Sequence, residues 1–156
     1  MAKASIRKAL ALALMVAGMA AGPGAMPAAA KSNSTTATVR TGNWQRVFAL
    51  EMEVVLGRQV SIDIASYAPG GLGKQFRQAE TLLRDEGIVP RGSTVYSQHS
   101  VNCATGQSTT YGWTTVGPTG AVLASRTIAN PQVARLQWDS ADGRVLGFVC
   151  RGIRPR

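Results

Sequence analysis

His99 is the only histidine of the chain, and Ser97 and Cys103 stand two and four residues from it. A hydroxyl or thiol activated by an imidazole needs that proximity, and it needs a third group to orient the ring. Residues two apart on a strand point the same way, so Ser97 and His99 can share a face, but the sequence shows no orienting side chain beside them. His99 therefore reads as a packed or edge histidine. Asp63, Asp139 and Asp142 are the remaining acid and base candidates, and they read as strand, cap and turn residues rather than as a pair. Two cysteines and one histidine are too few, and wrongly spaced, for a zinc site. With no catalytic, cofactor-binding or metal-binding constellation, the chain reads as a non-enzyme.

The compartment follows from the start of the chain and from its cysteines. Lys3, Arg7 and Lys8 precede an apolar run, Ala9 to Ala20, that is about twelve residues long and too short to span a bilayer. Gly22 to Pro27 breaks it, and Ala28-Ala29-Ala30 supplies the small residues that a signal peptidase reads, so residues 1–30 are expected to be a secretory signal. Export would place Cys103 and Cys150 where disulfides form and persist. Their pairing would close a loop of about 47 residues, worth about 4 kcal/mol on the chain-entropy estimate. No cysteine near the cleavage point accepts a lipid, so the expectation is a periplasmic, secreted or outer-surface protein with no integral membrane segment after cleavage. Residues 31–156 carry fourteen basic and eight acidic residues, a net charge of +6. That balance suits an anionic glycan or envelope component, and nucleic acid is set aside because an exported chain seldom meets it.

The elements that must position these residues follow from periodicity. Residues 31–42, rich in Ser, Thr and Asn, read as a flexible lead-in, and 43–156 as one domain. Met52, Val54 and Leu56 alternate with Glu51, Glu53 and Val55, which predicts a half-buried strand; Gly57 predicts a turn and Gln59 to Ile64 the returning strand of a hairpin. After Pro69-Gly70-Gly71, apolar Leu72, Phe76, Ala79 and Leu83 recur at spacings of four, three and four, predicting an amphipathic helix that ends at Gly87. Ser93 to Cys103 alternates cleanly, with Val95, Ser97, His99, Val101 and Cys103 on one face. Ala104 to Gln107 turns it into Ser108 to Val116, which places Thr109, Tyr111, Trp113 and Thr115 in one row. Gly117 to Gly120 turns again into Ala121 to Thr127, completing a three-strand meander. Asn130-Pro131 interrupts the chain. Beyond it, Asp142-Gly143 suits a hairpin turn, whereas Asp139 or Ser140 suits a helix cap ahead of Val145, Phe148 and Val149. Gly143 and Gly147 would each weaken that helix by about 1 kcal/mol, and the residues leave both readings open.

Ser100-Val101-Asn102-Cys103 at a strand end, Tyr111 eight residues on, the segment Gly120 to Ser125, and Trp138 twelve residues before Cys150 form a pattern. Together with Ser140 and Leu146 to Cys150, it resembles the surface-adhesin protein E family of small exported bacterial proteins. Trp44 and Ser61 to Ser66 add weaker matches. The resemblance implies an α+β fold, an antiparallel β-meander with one or two packed helices and a C-terminal helix at Ser140 to Cys150 tied to the sheet by the disulfide. It implies adhesion to host extracellular-matrix proteins such as laminin and vitronectin, and to plasminogen. The absent lipid-accepting cysteine keeps a second expectation beside it, a periplasmic interaction or envelope protein without a host ligand. The expected contact surface is Tyr111 and Trp113 with Arg126, Arg135 and Arg144, drawn from the aromatic and arginine residues of the C-terminal half. Trp44 and Trp138 are expected in the core.

Overall fold

The computed structural model describes residues 39–153. The expected signal, most of the lead-in, and Arg154 and Arg156 lie outside the described residues. Strand β1 (Trp44–Arg46) leads into helix α1 (Leu50–Leu56), followed by β2 (Arg58–Gly70), β3 (Gly73–Leu82), β4 (Thr94–Asn102), β5 (Gln107–Val116), β6 (Val122–Thr127), β7 (Val133–Arg135) and helix α2 (Ala141–Arg151). The strands form one seven-stranded antiparallel sheet in the order β1-β2-β3-β4-β5-β6, with β7 also on β5. Gly112 pairs with Thr127 and Thr109 with Val133, so β6 and β7 are two pieces of one outer strand. The break between them holds Asn130-Pro131, where proline has no N–H to donate to a ladder.

Two expectations are corrected. The segment around Met52 is helix, not strand. Met52 and Leu56, four apart, pack on the core, while Val54 and Val55 stand 63% and 74% exposed and Glu53 is buried. Gly57 is no hairpin turn; at φ 71° it closes the helix, its N–H reaching the Glu53 and Val54 carbonyls. The alternation of charged and apolar residues there was compatible with either period. Likewise, the segment expected as an amphipathic helix is strand β3. It is paired along its length by β2 on one side and β4 on the other, so Phe76 faces the α2 side and Ala79 the opposite side. Both being apolar, they mimic helical spacing, and the sheet's hydrogen bonding overrides it. Gly87 has a positive φ of 62°, but it serves the tight turn in which Glu86 and Val89 exchange backbone hydrogen bonds.

The C-terminal segment is helix, which settles the two open readings. Ser140 Oγ accepts the Gly143 N–H at 3.0 Å and donates to the Gln137 carbonyl at 2.6 Å, fixing the first turn. Gly152, at φ 65°, ends the helix. Lys74 Nζ donates to the Val149 carbonyl at 2.9 Å, and Cys103–Cys150, with Cα atoms 5.6 Å apart, ties the last turn to the end of β4. Val145, Leu146, Phe148 and Val149 of α2 then bury Val60, Ile62, Phe76 and Val101 of the sheet, with Val47 and Phe48 closing the cluster. Trp138 lies outside this core. It is 41% exposed and carries the Arg151 guanidinium 4.3 Å from its ring centroid, a cation–π contact that needs no burial.

Two helix glycines differ in what surrounds them. A Cβ at Gly143 would lie 2.6 Å from Trp138 Cα, whereas one at Gly147 would meet only Ile153 Cδ1 at 3.5 Å. Gly143→Ala is expected to lose about 1–3 kcal/mol to this clash. Gly147→Ala is expected to gain up to about 1 kcal/mol from helix propensity. Urea denaturation of the two variants checks the opposite signs.

Candidate functional site

On the face opposite α2, one row of cross-strand neighbours runs Trp44, Asp63, Arg77, Gln98, Gly112 and Thr127. Asp63, 1% exposed, anchors it. Its Oδ1 accepts the Asn43 and Ala65 N–H groups at 2.8 and 3.1 Å. Its Oδ2 accepts Arg77 Nε at 3.0 Å and also Arg77 Nη2. Burial alone would push this carboxyl up, but the Arg77 and backbone donors outweigh it and hold Asp63 below the ordinary carboxylate value. Arg77 Nη2 also donates to the Thr41 carbonyl at 2.6 Å, so the chain is fastened ahead of the expected domain start at residue 43. The guanidinium lies 5.5 Å from the Trp44 ring centroid, and Trp44 meets Tyr96 edge-on at 5.6 Å. Trp44 is thus half-buried against polar neighbours, not a core residue.

Beside this row lies a groove of about 270 Å³, bordered by Arg77, Tyr96, Gln98, Tyr111, Trp113 and Arg126 among others. Its shape depends on a β-bulge. Gln98 pairs with Gly112 and His99 with Thr110, leaving Tyr111 as an extra residue on β5. A Cβ at Gly112 would come within 2.7 Å of the Arg126 carbonyl, so glycine is what lets β5 and β6 approach here. The extra residue also shifts the alternation. Thr109 and Tyr111 turn to the groove face, while Trp113 and Thr115, paired with Ser97 and Val95, turn to the α2 face. The single row expected from the sequence is therefore split. The Tyr111 hydroxyl lies beside Gly71 at the tip of the β2–β3 hairpin, where any Cβ would collide with it.

No family model, curated protein or solved structure matches the chain. The site therefore rests on its own geometry. Of the expected contact residues, Tyr111 turns to the groove, while Trp113 and its partner Arg126 touch its border but turn to the α2 face. Arg135, opposite Gln107 on β7, and Arg144, exposed on α2, stand apart from it. Sequence reasoning missed Tyr96 and Gln98, although they alternate on one face of the most legible strand, and missed Arg77 because β3 read as a helix.

On the α2 side, His99 is held at both nitrogens. Ser97 Oγ lies 2.7 Å from Nε2 and Thr110 Oγ1 3.1 Å from Nδ1, and the ring stacks on Phe76 at 5.3 Å. Thr110 is the orienting group that the sequence did not reveal, brought opposite His99 by the bulge. Burial lowers the His99 pKa to about 4, with the Glu80 charge opposing, so the imidazole is neutral at neutral pH. Such an imidazole is a weak base, and a threonine hydroxyl does not offset an imidazolium as a carboxylate does. Among the described residues no group of three or more His, Cys, Asp and Glu side chains is placed to hold a metal ion. None of their helices is long and apolar enough to cross a membrane.

Two pH dependences follow. The His99 ring is expected to titrate near pH 4 in an NMR pH series, not near its ordinary 6.5. Because its folded pKa is depressed, the stability linked to neutral His99 is complete above pH 6.5 and is lost as the pH falls toward 4. Asp63→Ala, which removes the carboxylate that holds Arg77 and accepts the Asn43 and Ala65 N–H groups, is expected to cost on the order of 3 kcal/mol at pH 7. Since folding lowers the Asp63 pKa, that loss shrinks as the pH falls below the ordinary 3.8 and the wild-type carboxylate takes up a proton. Urea midpoints at pH 7 and pH 3 measure it.

Proposed function

We propose that the chain is an exported, non-enzymatic binding module of the surface-adhesin protein E type, which adheres to laminin, vitronectin or plasminogen. The observation that carries the reading is the groove over β3 to β6. It is preformed, it lies on the sheet face away from α2, and it presents Tyr96 and Tyr111 rings with Gln98 and threonine and serine hydroxyls at its border. Aromatic rings with arginine nearby are the residue types that dominate protein contact surfaces. The basic balance of the chain adds steering toward acidic partners. The antiparallel sheet with a disulfide-fastened C-terminal helix accords with the fold that the resemblance implies and supports the same reading.

A second reading has its own observation. Both cysteines of the sequence are joined to each other, so neither is left as a thiol for a lipid. That favours a periplasmic interaction or envelope protein that meets an anionic glycan rather than a host protein.

The deciding experiment measures binding of residues 31–156 to immobilised laminin, vitronectin and plasminogen at low and at physiological salt. The adhesin reading expects binding that persists at physiological salt. It expects that binding to weaken roughly tenfold in Gln98→Ala, at an exposed position on the groove face, and to be unchanged in Arg144→Glu. Binding confined to low salt reduces the arginines to screened charge and leaves the periplasmic reading standing.

A further inference from the structure

The face of the sheet that carries α2 is only partly filled. Under α2 the large side chains Ile62, Phe76 and Val101 meet Val145, Phe148 and Val149. Farther along the same face, the positions that β5 and β7 present are Ser108, Thr110 and Ala134, where Ser108 pairs with both Val101 and Ala134. These residues are too small to reach α2. The space they leave is a cavity of about 750 Å³, partly open to solvent and walled by the broken outer strand at Ile128, Gln132, Ala134 and Leu136. Its size lies in the range of small-molecule sites, and its walls pair an apolar side of Phe76, Val101, Leu136 and Leu146 with hydroxyl, amide and carboxyl groups.

The charged groups of the lining are of one sign. Glu80 and Asp142 line the cavity, together with neutral His99 and Gln78, and no lysine or arginine does, in a chain that has 17 basic residues against 8 acidic ones. Glu80 Oε1 accepts Gln78 Nε2 at 2.7 Å, and Arg58 bridges Glu80 and Glu86 at 2.7 and 2.8 Å. Asp142 has no hydrogen bond or ion pair within the described chain. Burial pushes its carboxyl up, and the Glu80 charge adds to that against the opposing Arg58. Three carboxylates thus surround one guanidinium, and the partial positive charge of the α2 N-terminus does not bring the sum to zero. His99 cannot serve as the counter-charge, because Ser97 and Thr110 hold both its nitrogens and it is neutral.

We propose that this cavity binds an amphipathic cation, with an apolar body against Phe76, Val101, Leu136 and Leu146 and an ammonium or guanidinium head beside Glu80 and Asp142. The apolar body gains the burial that the small residues of β5 and β7 leave unused. The head supplies a charged partner for the Asp142 carboxylate, which has no protein donor among the described residues. The site is on the opposite face of the sheet from the groove and does not depend on the adhesin reading.

The test titrates the purified chain with octylammonium, octan-1-ol and octanoate, which share one body and differ in the head. Calorimetry gives the affinities, and methyl NMR shifts of Val101 and Leu146 place the ligand. Octylammonium is expected to bind about tenfold or more tighter than octan-1-ol, with octanoate weakest. Asp142→Asn, at an exposed position, and Glu80→Gln are expected to erase most of that preference while octan-1-ol affinity stays unchanged. Ala134→Phe, at an exposed lining position, is expected to block all three ligands without touching the core. Equal affinity for the three heads overturns the proposal. So does a cation preference that survives both carboxylate changes, or octylammonium binding that leaves the Val101 and Leu146 methyl signals unmoved.

Discussion

With only the seven-residue α1 beside it, helix α2, eleven residues long, is the main cover of a seven-stranded sheet, and most of the architecture follows from that mismatch. Such a helix is about 16 Å long and about 10 Å across. Six strands side by side span about 24 Å from first axis to last. The helix therefore covers part of one face, and which part is decided at its two ends. Ser140 and the close fit of Gly143 on Trp138 set the N-terminal turn. Cys150 and the carbonyl held by Lys74 set the last one. A single covalent link at the far end of α2 suffices because the N-terminal turn is already held by sterics and a cap.

The face without α2 cannot rely on apolar cover, and polar chemistry does the corresponding task there. Asp63 gathers four donor contacts from three places, the Asn43 and Ala65 amides and the Arg77 guanidinium. A buried ion pair contributes little net stability over an apolar equivalent, since both partners give up hydration. Its value here is positional. It fixes residues 41–44 against β2 and β3, and through Arg77 it sets Trp44 toward Tyr96, which gives the groove one aromatic wall. The same row that closes the sheet edge thus shapes the candidate surface.

What the sequence disclosed depended on whether the local pattern had one physical explanation. From Thr94 to Thr127 it did: clean alternation, glycine-bearing turns and β-branched residues agree, and strands β4, β5 and β6 lie where expected. The C-terminal helix was one of two open readings until the resemblance favoured it, because Gly143 looked like a hairpin turn residue. Its absence of a side chain instead answers the Trp138 backbone, a contact distant from any propensity. Helix α1 and strand β3 were misread at Met52 and Phe76, where apolar residues on two faces imitate another period, whereas the strand expected over Gln59 to Ile64 lies within β2. Of the candidate surface, the residue types at Tyr111, Trp113 and Arg126 were visible, but their distribution between two faces was not, since no periodicity announces a bulge.

That bulge links the two faces of the molecule. Inserting Tyr111 opposite the Gln98–His99 step sends the tyrosine to the groove and keeps Thr110 on the cavity side, where it meets His99. Without the extra residue, a continuous register would carry Trp113 to the groove face and turn its paired neighbours with it, because one step along a strand exchanges the faces. The insertion is stable only because Gly112 admits the Arg126 carbonyl at a distance no side chain tolerates. A single glycine, by permitting that approach, therefore sets both the lip of the groove and the orientation of the imidazole on the other side. The two surfaces are chemically separate but share one backbone cause, so a change at Gly112 would alter both, while changes at Gln98 or Asp142 would each stay on one face.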